Sequence, residues 1–140
     1  MSEQIEVIDS LAGMTLFADL TPPQLEAVAH TFDEDFFDEG IRILRKGFAG
    51  SGFYVIIEGE AAVNLDGKQI ATLSRGDFFG DISALLGELP TADVTATRPL
   101  RCAVLSADEL DRFLLAYPTV ALRMLKALAR RMRNQNTWRN

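Results

Sequence analysis

The chain is poor in the residues from which most enzyme and metal sites are built. It holds one cysteine, Cys102, and one histidine, His30. A single thiol cannot close an internal disulfide, and a lone imidazole supports neither a zinc site nor a nucleophilic triad. Cys102 sits within the apolar run Leu100 to Leu105, which predicts a buried small hydrophobe rather than a reactive thiol. His30 is expected at the surface near a helix end. No serine, cysteine or lysine stands in a nucleophile motif, so no catalytic residue is expected. The acid run Asp33-Glu34-Asp35 with Asp38-Glu39 lacks the glycine and spacing of an EF-hand and reads as a solvated strand edge, with no metal site. Gly47 to Gly52 lacks the Lys-Ser/Thr ending of a P-loop and reads as a turn between strands.

Two further absences concern membranes and charge. No apolar run approaches 18 residues, and the opening MSEQIEVIDS is acidic and polar, which argues against a membrane span or signal peptide and predicts a cytoplasmic protein. No acid follows Asp111. All 20 acids lie at or before it and seven of the 14 bases after it, so residues 1–111 carry −13 and 112–140 carry +7. Such polarity fits self-association, onward linkage or an anionic partner; more simply, late basic side chains complement a helix dipole and solubilise its outer face. Arg130, Arg131, Arg133 and Arg139 come without a recognition motif on a chain of net charge −6, which argues against direct nucleic-acid binding.

What is present predicts one domain. At 140 residues and 48% hydrophobic content the chain can bury a single core. Residues 1–31 read as an N-terminal helical segment: apolar positions 5, 8 and 11 precede Gly13, and Thr21-Pro22-Pro23-Gln24 is a capping box with proline in the first turn. Residues 32–105 turn to short apolar runs broken by glycine, which predicts a compact antiparallel barrel or roll. Asp66-Gly67 has the chemistry of a two-residue hairpin turn. Residues 106–133 read as two helices. Ser106 to Glu109 forms a second capping box, Tyr117-Pro118 breaks the pattern, and apolar positions 120, 121, 124, 125, 127, 128 and 132 make a stripe wide enough to cover the roll and meet a partner. Residues 134–140 are expected to fray.

The most informative segment is 78–97, FFGDISALLGELPTADVTAT. Phe79 ends an apolar strand, Gly80 permits close approach to the backbone, and a short helix opens at Asp81, so several unpaired N–H groups converge near Gly80 to Ala84. Asp81 can accept a hydrogen bond from a sugar hydroxyl. Yet no arginine or lysine lies between Gly76 and Thr97.

This segment resembles the phosphate-binding cassette of cyclic nucleotide-binding domains, which runs roughly Phe-Gly-Glu, an Ala-Leu-Leu helix, then Pro-Arg-(Ala/Ser)-Ala-(Thr)-Val. Phe79, Gly80, Leu85, Ala92, Val94 and Ala96 match in place, and the spacing of the glycines extends the likeness over almost the whole chain. The resemblance implies a mainly β fold with flanking helices: an eight-stranded antiparallel β-roll of jelly-roll type, with N-terminal helices and two C-terminal helices. It implies a non-enzymatic regulatory sensor of cAMP, cGMP or a related small ligand. In the family the Glu takes the ribose hydroxyl, helix N–H groups take the cyclic phosphate and the Arg neutralises it. Here Asp81 stands at the Glu position, and Pro90 or Thr91 at the Arg position, depending on how the proline is aligned. The candidate ligand residues are Phe79, Gly80, Asp81, Ile82, Ser83, Pro90, Thr91 and Ala92. Loss of the charge-assisted bond to Arg weakens a cyclic phosphate by about 10- to 150-fold. The resemblance further implies that ligand in the roll recruits the last two helices and passes the signal to a partner, and the stripe on residues 118–133 offers a homodimer interface. The alternative is a ligand-free module whose roll is filled by its own side chains and whose last helix self-associates.

Overall fold

The computed structural model describes residues 2–48 and 52–139, with side chains for 7–48 and 52–134. Part of the Gly47 to Gly52 turn, including Ser51, lies outside the described residues. The N-terminal segment folds as α1 (Ser2–Ala12), a 3-10 turn (Thr15–Phe17) and α2 (Pro22–Thr31). The first capping box forms: Gln24 N–H donates to Thr21 Oγ1 at 3.3 Å, and Thr21 N–H donates to Gln24 Oε1 at 2.9 Å. Two of the orphan donors at the helix start are thereby satisfied.

Eight strands follow: β1 (Asp33–Phe37), β2 (Arg42–Leu44), β3 (Phe53–Glu58), β4 (Ala61–Leu65), β5 (Lys68–Leu73), β6 (Phe78–Phe79), β7 (Asp93–Ala96) and β8 (Leu100–Leu105). They form two antiparallel four-stranded sheets, ordered β1-β8-β3-β6 and β2-β7-β4-β5. The expected eight-stranded roll is what the chain builds. Side-chain alternation explains why β3 and β8 read as almost continuous apolar runs. Phe53, Val55, Ile57, Ala103 and Leu105 face the helices, whereas Ile56, Leu100 and Cys102 face the second sheet, so both faces are covered. Asp33, Glu34 and Asp35 lie on β1, an edge strand, where charge discourages further pairing, and Asp38-Glu39 follow it in a turn. At Asp66-Gly67, φ values of 52° and 83° make the hairpin turn that joins β4 to β5, with Leu65 opposite Lys68.

Two helices close the domain: α4 (Ala107–Ala116) and α5 (Pro118–Arg139). Both correct the sequence reading in detail. The second capping box does not form, because Glu109 N–H is already bonded to the Ser106 carbonyl at 3.0 Å; Ser106 Oγ donates instead to Glu109 Oε1 at 3.2 Å. Nor does the helix end near Arg133. It continues to Arg139, since residues 134–139 contain no glycine or proline and extending a formed helix adds one bond per residue fixed. An aromatic series joins the two ends of the chain. Phe17 meets Phe32 at 6.2 Å, Phe32 meets Phe113 at 5.3 Å, and Phe113 meets Tyr117 at 5.2 Å, the first two edge to face. Among the described residues, no helix is long and apolar enough to cross a membrane.

Candidate ligand-binding site

The connection from β6 to β7 contains α3 (Asp81–Leu86), and this is where the expected ligand residues fall. The two phenylalanines of β6 point opposite ways. Phe79 enters the roll and stacks on Tyr54, with centroids 4.7 Å apart and planes within 3°, while Phe78 joins the helix-facing core. Gly80 then turns left-handed at φ 79°, and a Cβ there would land on the Gly52 carbonyl oxygen. Only glycine permits both the turn and this approach of the β2–β3 loop. The Gly80 carbonyl accepts Ala84 N–H at 3.0 Å, the first bond of α3, so the N–H groups of Asp81, Ile82 and Ser83 have no helical acceptor. Ser83 is buried, and its Oγ donates to the same Gly80 carbonyl at 3.3 Å. Gly87 ends the helix at φ 68°.

Gly80, Asp81, Ile82 and Ser83 thus share one turn. Pro90 is buried, with its carbonyl accepting Gly47 N–H at 2.9 Å. Thr91 is exposed and Ala92 half-buried; among the described residues, neither makes a side-chain hydrogen bond to α3. The β2–β3 loop is tied to this connection a second time, by Lys46 N–H donating to Asp93 Oδ1 at 2.7 Å.

Asp81 is the unusual residue of the group. It is only 5% exposed, and its Oδ2 has no hydrogen-bond partner among the described residues. Burial pushes its carboxyl above the ordinary aspartate range, and the nearby Arg131 guanidinium opposes this without cancelling it. Arg131 comes from α5. Its Nη1 stands 3.5 Å from Asp81 Oδ1, its Nη2 donates to the Phe78 carbonyl at 2.7 Å, and its guanidinium lies 4.3 Å from the Phe78 ring centroid. The segment that lacks a cation in sequence therefore receives one from the far end of the chain. The available signal was periodicity: Val120, Met124 and Ala127 face inward, and Arg131 continues that series at i+4.

Comparison with known proteins identifies the family of the chain. The cyclic nucleotide-binding domain profile matches residues 34–117. A cGMP-dependent protein kinase egl-4 of Caenorhabditis briggsae is 33% identical over 105 residues, covering 71% of this chain and 14% of the kinase. A cAMP-dependent protein kinase regulatory subunit of Yarrowia lipolytica is 35% identical over 107 residues, covering 74% of this chain and 28% of the subunit. The chain thus spans well under a third of either relative. It belongs to the cyclic nucleotide-binding domain family. In solved structures the fold recurs in the regulatory subunit of a cAMP-independent protein kinase A from Trypanosoma brucei, with TM-score 0.78 and 23% identity, covering 92% of this chain and 46% of that one.

Proposed function

We propose that this domain is a non-catalytic sensor that binds a cyclic nucleotide, cAMP or cGMP, against α3 and signals through α4 and α5. The observation that carries this reading is the unpartnered, buried Oδ2 of Asp81 beside three N–H groups that have no helical acceptor. A buried acceptor without a donor costs about 1–3 kcal/mol, and a ribose hydroxyl is a donor of the right kind. The N–H groups of Asp81, Ile82 and Ser83 hold the cyclic phosphate, with Gly80 giving it access to the backbone and the Thr91 hydroxyl at the rim. Phe79 and Pro90 shape the wall from their buried positions, and Ala92 leads into β7. With no arginine in the cassette, the affinity is about 10- to 150-fold below that of a site carrying one. Isothermal calorimetry with cAMP and cGMP tests the reading. Heat saturating in the micromolar to millimolar range supports it, and no heat at millimolar ligand overturns it.

A second reading is favoured by the outer face of α5. Leu122, Leu125 and Met132 are 51%, 63% and 63% exposed, and with Ala129 they repeat at alternating spacings of three and four. That spacing is a coiled-coil seam, which fits a homodimer through residues 118–133. In this reading the domain is an interaction module, its roll filled by its own Tyr54 and Phe79 rings. Sedimentation over a range of concentrations decides the dimer: a monomer at every concentration removes it.

A further inference from the structure

A second place on the molecule gathers cations, and it shares Arg131 with the seam between α5 and α3. The segment 13–16, the β5–β6 turn and the inner edge of α5 line an open cleft of about 480 Å³, within the size range of small-molecule sites. Four guanidinium groups line it, from Arg75, Arg123, Arg130 and Arg131, against one carboxylate, Asp77. In a chain of net charge −6, this is a local reversal of sign.

How the arginines are held matters more than their number. Arg75 donates to two backbone carbonyls, Nη1 to Ile57 at 3.2 Å and Nη2 to Ser10 at 2.8 Å. Gly13 leaves room for it, since a Cβ there would come within 3.2 Å of Arg75 Nη2. Arg131 is fixed by the Phe78 carbonyl and the Phe78 ring. Carbonyls orient a guanidinium without neutralising it, and each such group keeps further N–H donors free. Arg123 is paired with Asp19 by bonds of 2.8 and 3.1 Å, and Arg131 with Asp81 at 3.5 Å. When those two pairs are discounted, Arg75 and Arg130 still outweigh Asp77. Arg130 is exposed and has no ion-pair partner among the described residues. Pre-oriented donors bind with little further loss of side-chain freedom.

We infer that this cleft is a second ligand site, for a compact anion bearing phosphate. The phosphate class follows from the donors: guanidinium groups pair with phosphate oxygens by parallel N–H bonds, and Arg75 and Arg131 are already oriented while Arg130 is free to close on the anion. Met14, Leu16 and Ala127 add apolar surface to the lining. A diphosphate attached to a nucleoside therefore gains contact that inorganic pyrophosphate does not.

The test uses the full chain at physiological salt, titrated by calorimetry with pyrophosphate and, separately, with ADP. Saturable binding of either supports the site, and tighter binding of ADP identifies the nucleoside-bearing source. Arg130→Glu is the diagnostic variant, because the exposed side chain makes no ion pair or hydrogen bond among the described residues; it lowers affinity by at least about tenfold. Ile82→Asp places an acid at the start of α3 and leaves pyrophosphate affinity unchanged if the anion sits in the cleft. No binding to wild type at millimolar pyrophosphate or ADP overturns the inference. So does binding that survives Arg130→Glu but is lost in Ile82→Asp, which assigns the anion to α3 instead.

Discussion

Arg131 and Asp81 stand 3.5 Å apart across the seam between α5 and α3, and Phe78 holds the arginine in place with its carbonyl and its ring. This makes the last helix sensitive to the state of one buried carboxylate. Truncating Arg131 to alanine removes the bond and the stacking and leaves Asp81 buried alone. A fully buried pair loses about 3–5 kcal/mol on such a change. The Arg131 side chain is 38% exposed, so solvent screening reduces the expected loss to about 1–2 kcal/mol. Urea unfolding measures it. The double variant Arg131→Ala with Asp81→Asn recovers part of the loss, because no buried charge is then left unpaired; a double variant less stable than Arg131→Ala alone would contradict the coupling.

The pH dependence of Asp81 follows from its raised pKa, whose main cause is burial. A carboxyl whose folded pKa lies above its unfolded value favours folding most when protonated. Its contribution is full below the unfolded value near 3.8 and is lost as pH rises through the folded one. Asp81→Asn cannot ionise. Its melting temperature, relative to wild type, therefore increases as pH is raised from 4 towards neutrality, and thermal scans across that range check the sign.

Cys102 gives an independent readout of roll integrity. Its thiol is fully buried between the sheets, and burial is the main cause pushing its pKa up to about 12. Thiolate is the reactive form, so the native protein at pH 8 reacts with a disulfide reagent far more slowly than the urea-unfolded chain. Reaction of the native protein at the unfolded rate would mean that the two sheets separate readily.

Two glycines separate strain from contact. Gly67 and Gly80 have similar φ values, 83° and 79°, yet a Cβ at Gly67 meets nothing within 4 Å, whereas one at Gly80 falls on the Gly52 carbonyl. Gly67→Ala costs about 1–2 kcal/mol of conformational strain. Gly80→Ala adds displacement of the β2–β3 loop and is the more destabilising of the two in urea. Equal losses would show that the loop yields freely.

Much of this architecture was legible because local rules and tertiary packing agree. Thr21 and Gln24 form their box, Asp66-Gly67 turns as its chemistry demands, and the glycine-punctuated runs become eight strands. Ser106 and Glu109 show where spelling was insufficient. The same four-residue pattern closes through a backbone bond instead, a choice between competing acceptors that sequence does not encode. The candidate site divides similarly. Its single turn, Gly80 to Ser83, could be read from the chain, because adjacent residues fix their own geometry. For Arg131 the chain offered only its place at i+4 in the inward series; its role could not be read, since that depends on the docking of α5 across β6.

The missing cassette cation can be restored by design, and burial chooses the position. Either Pro90 or Thr91 stands at the arginine position, according to the alignment. Pro90 is buried and its carbonyl is engaged by Gly47 N–H, so a long charged side chain there must be expelled from the core. Thr91 is exposed and its side chain carries no such constraint. Thr91→Arg is therefore expected to tighten cAMP or cGMP binding by about 10- to 150-fold with little change in stability. Pro90→Arg should gain less and unfold more easily. Calorimetry paired with urea unfolding on both variants separates the two quantities. If Thr91→Arg leaves affinity unchanged while the domain remains folded, charge is not what limits the site, and occupancy of the roll by Tyr54 and Phe79 becomes the stronger explanation.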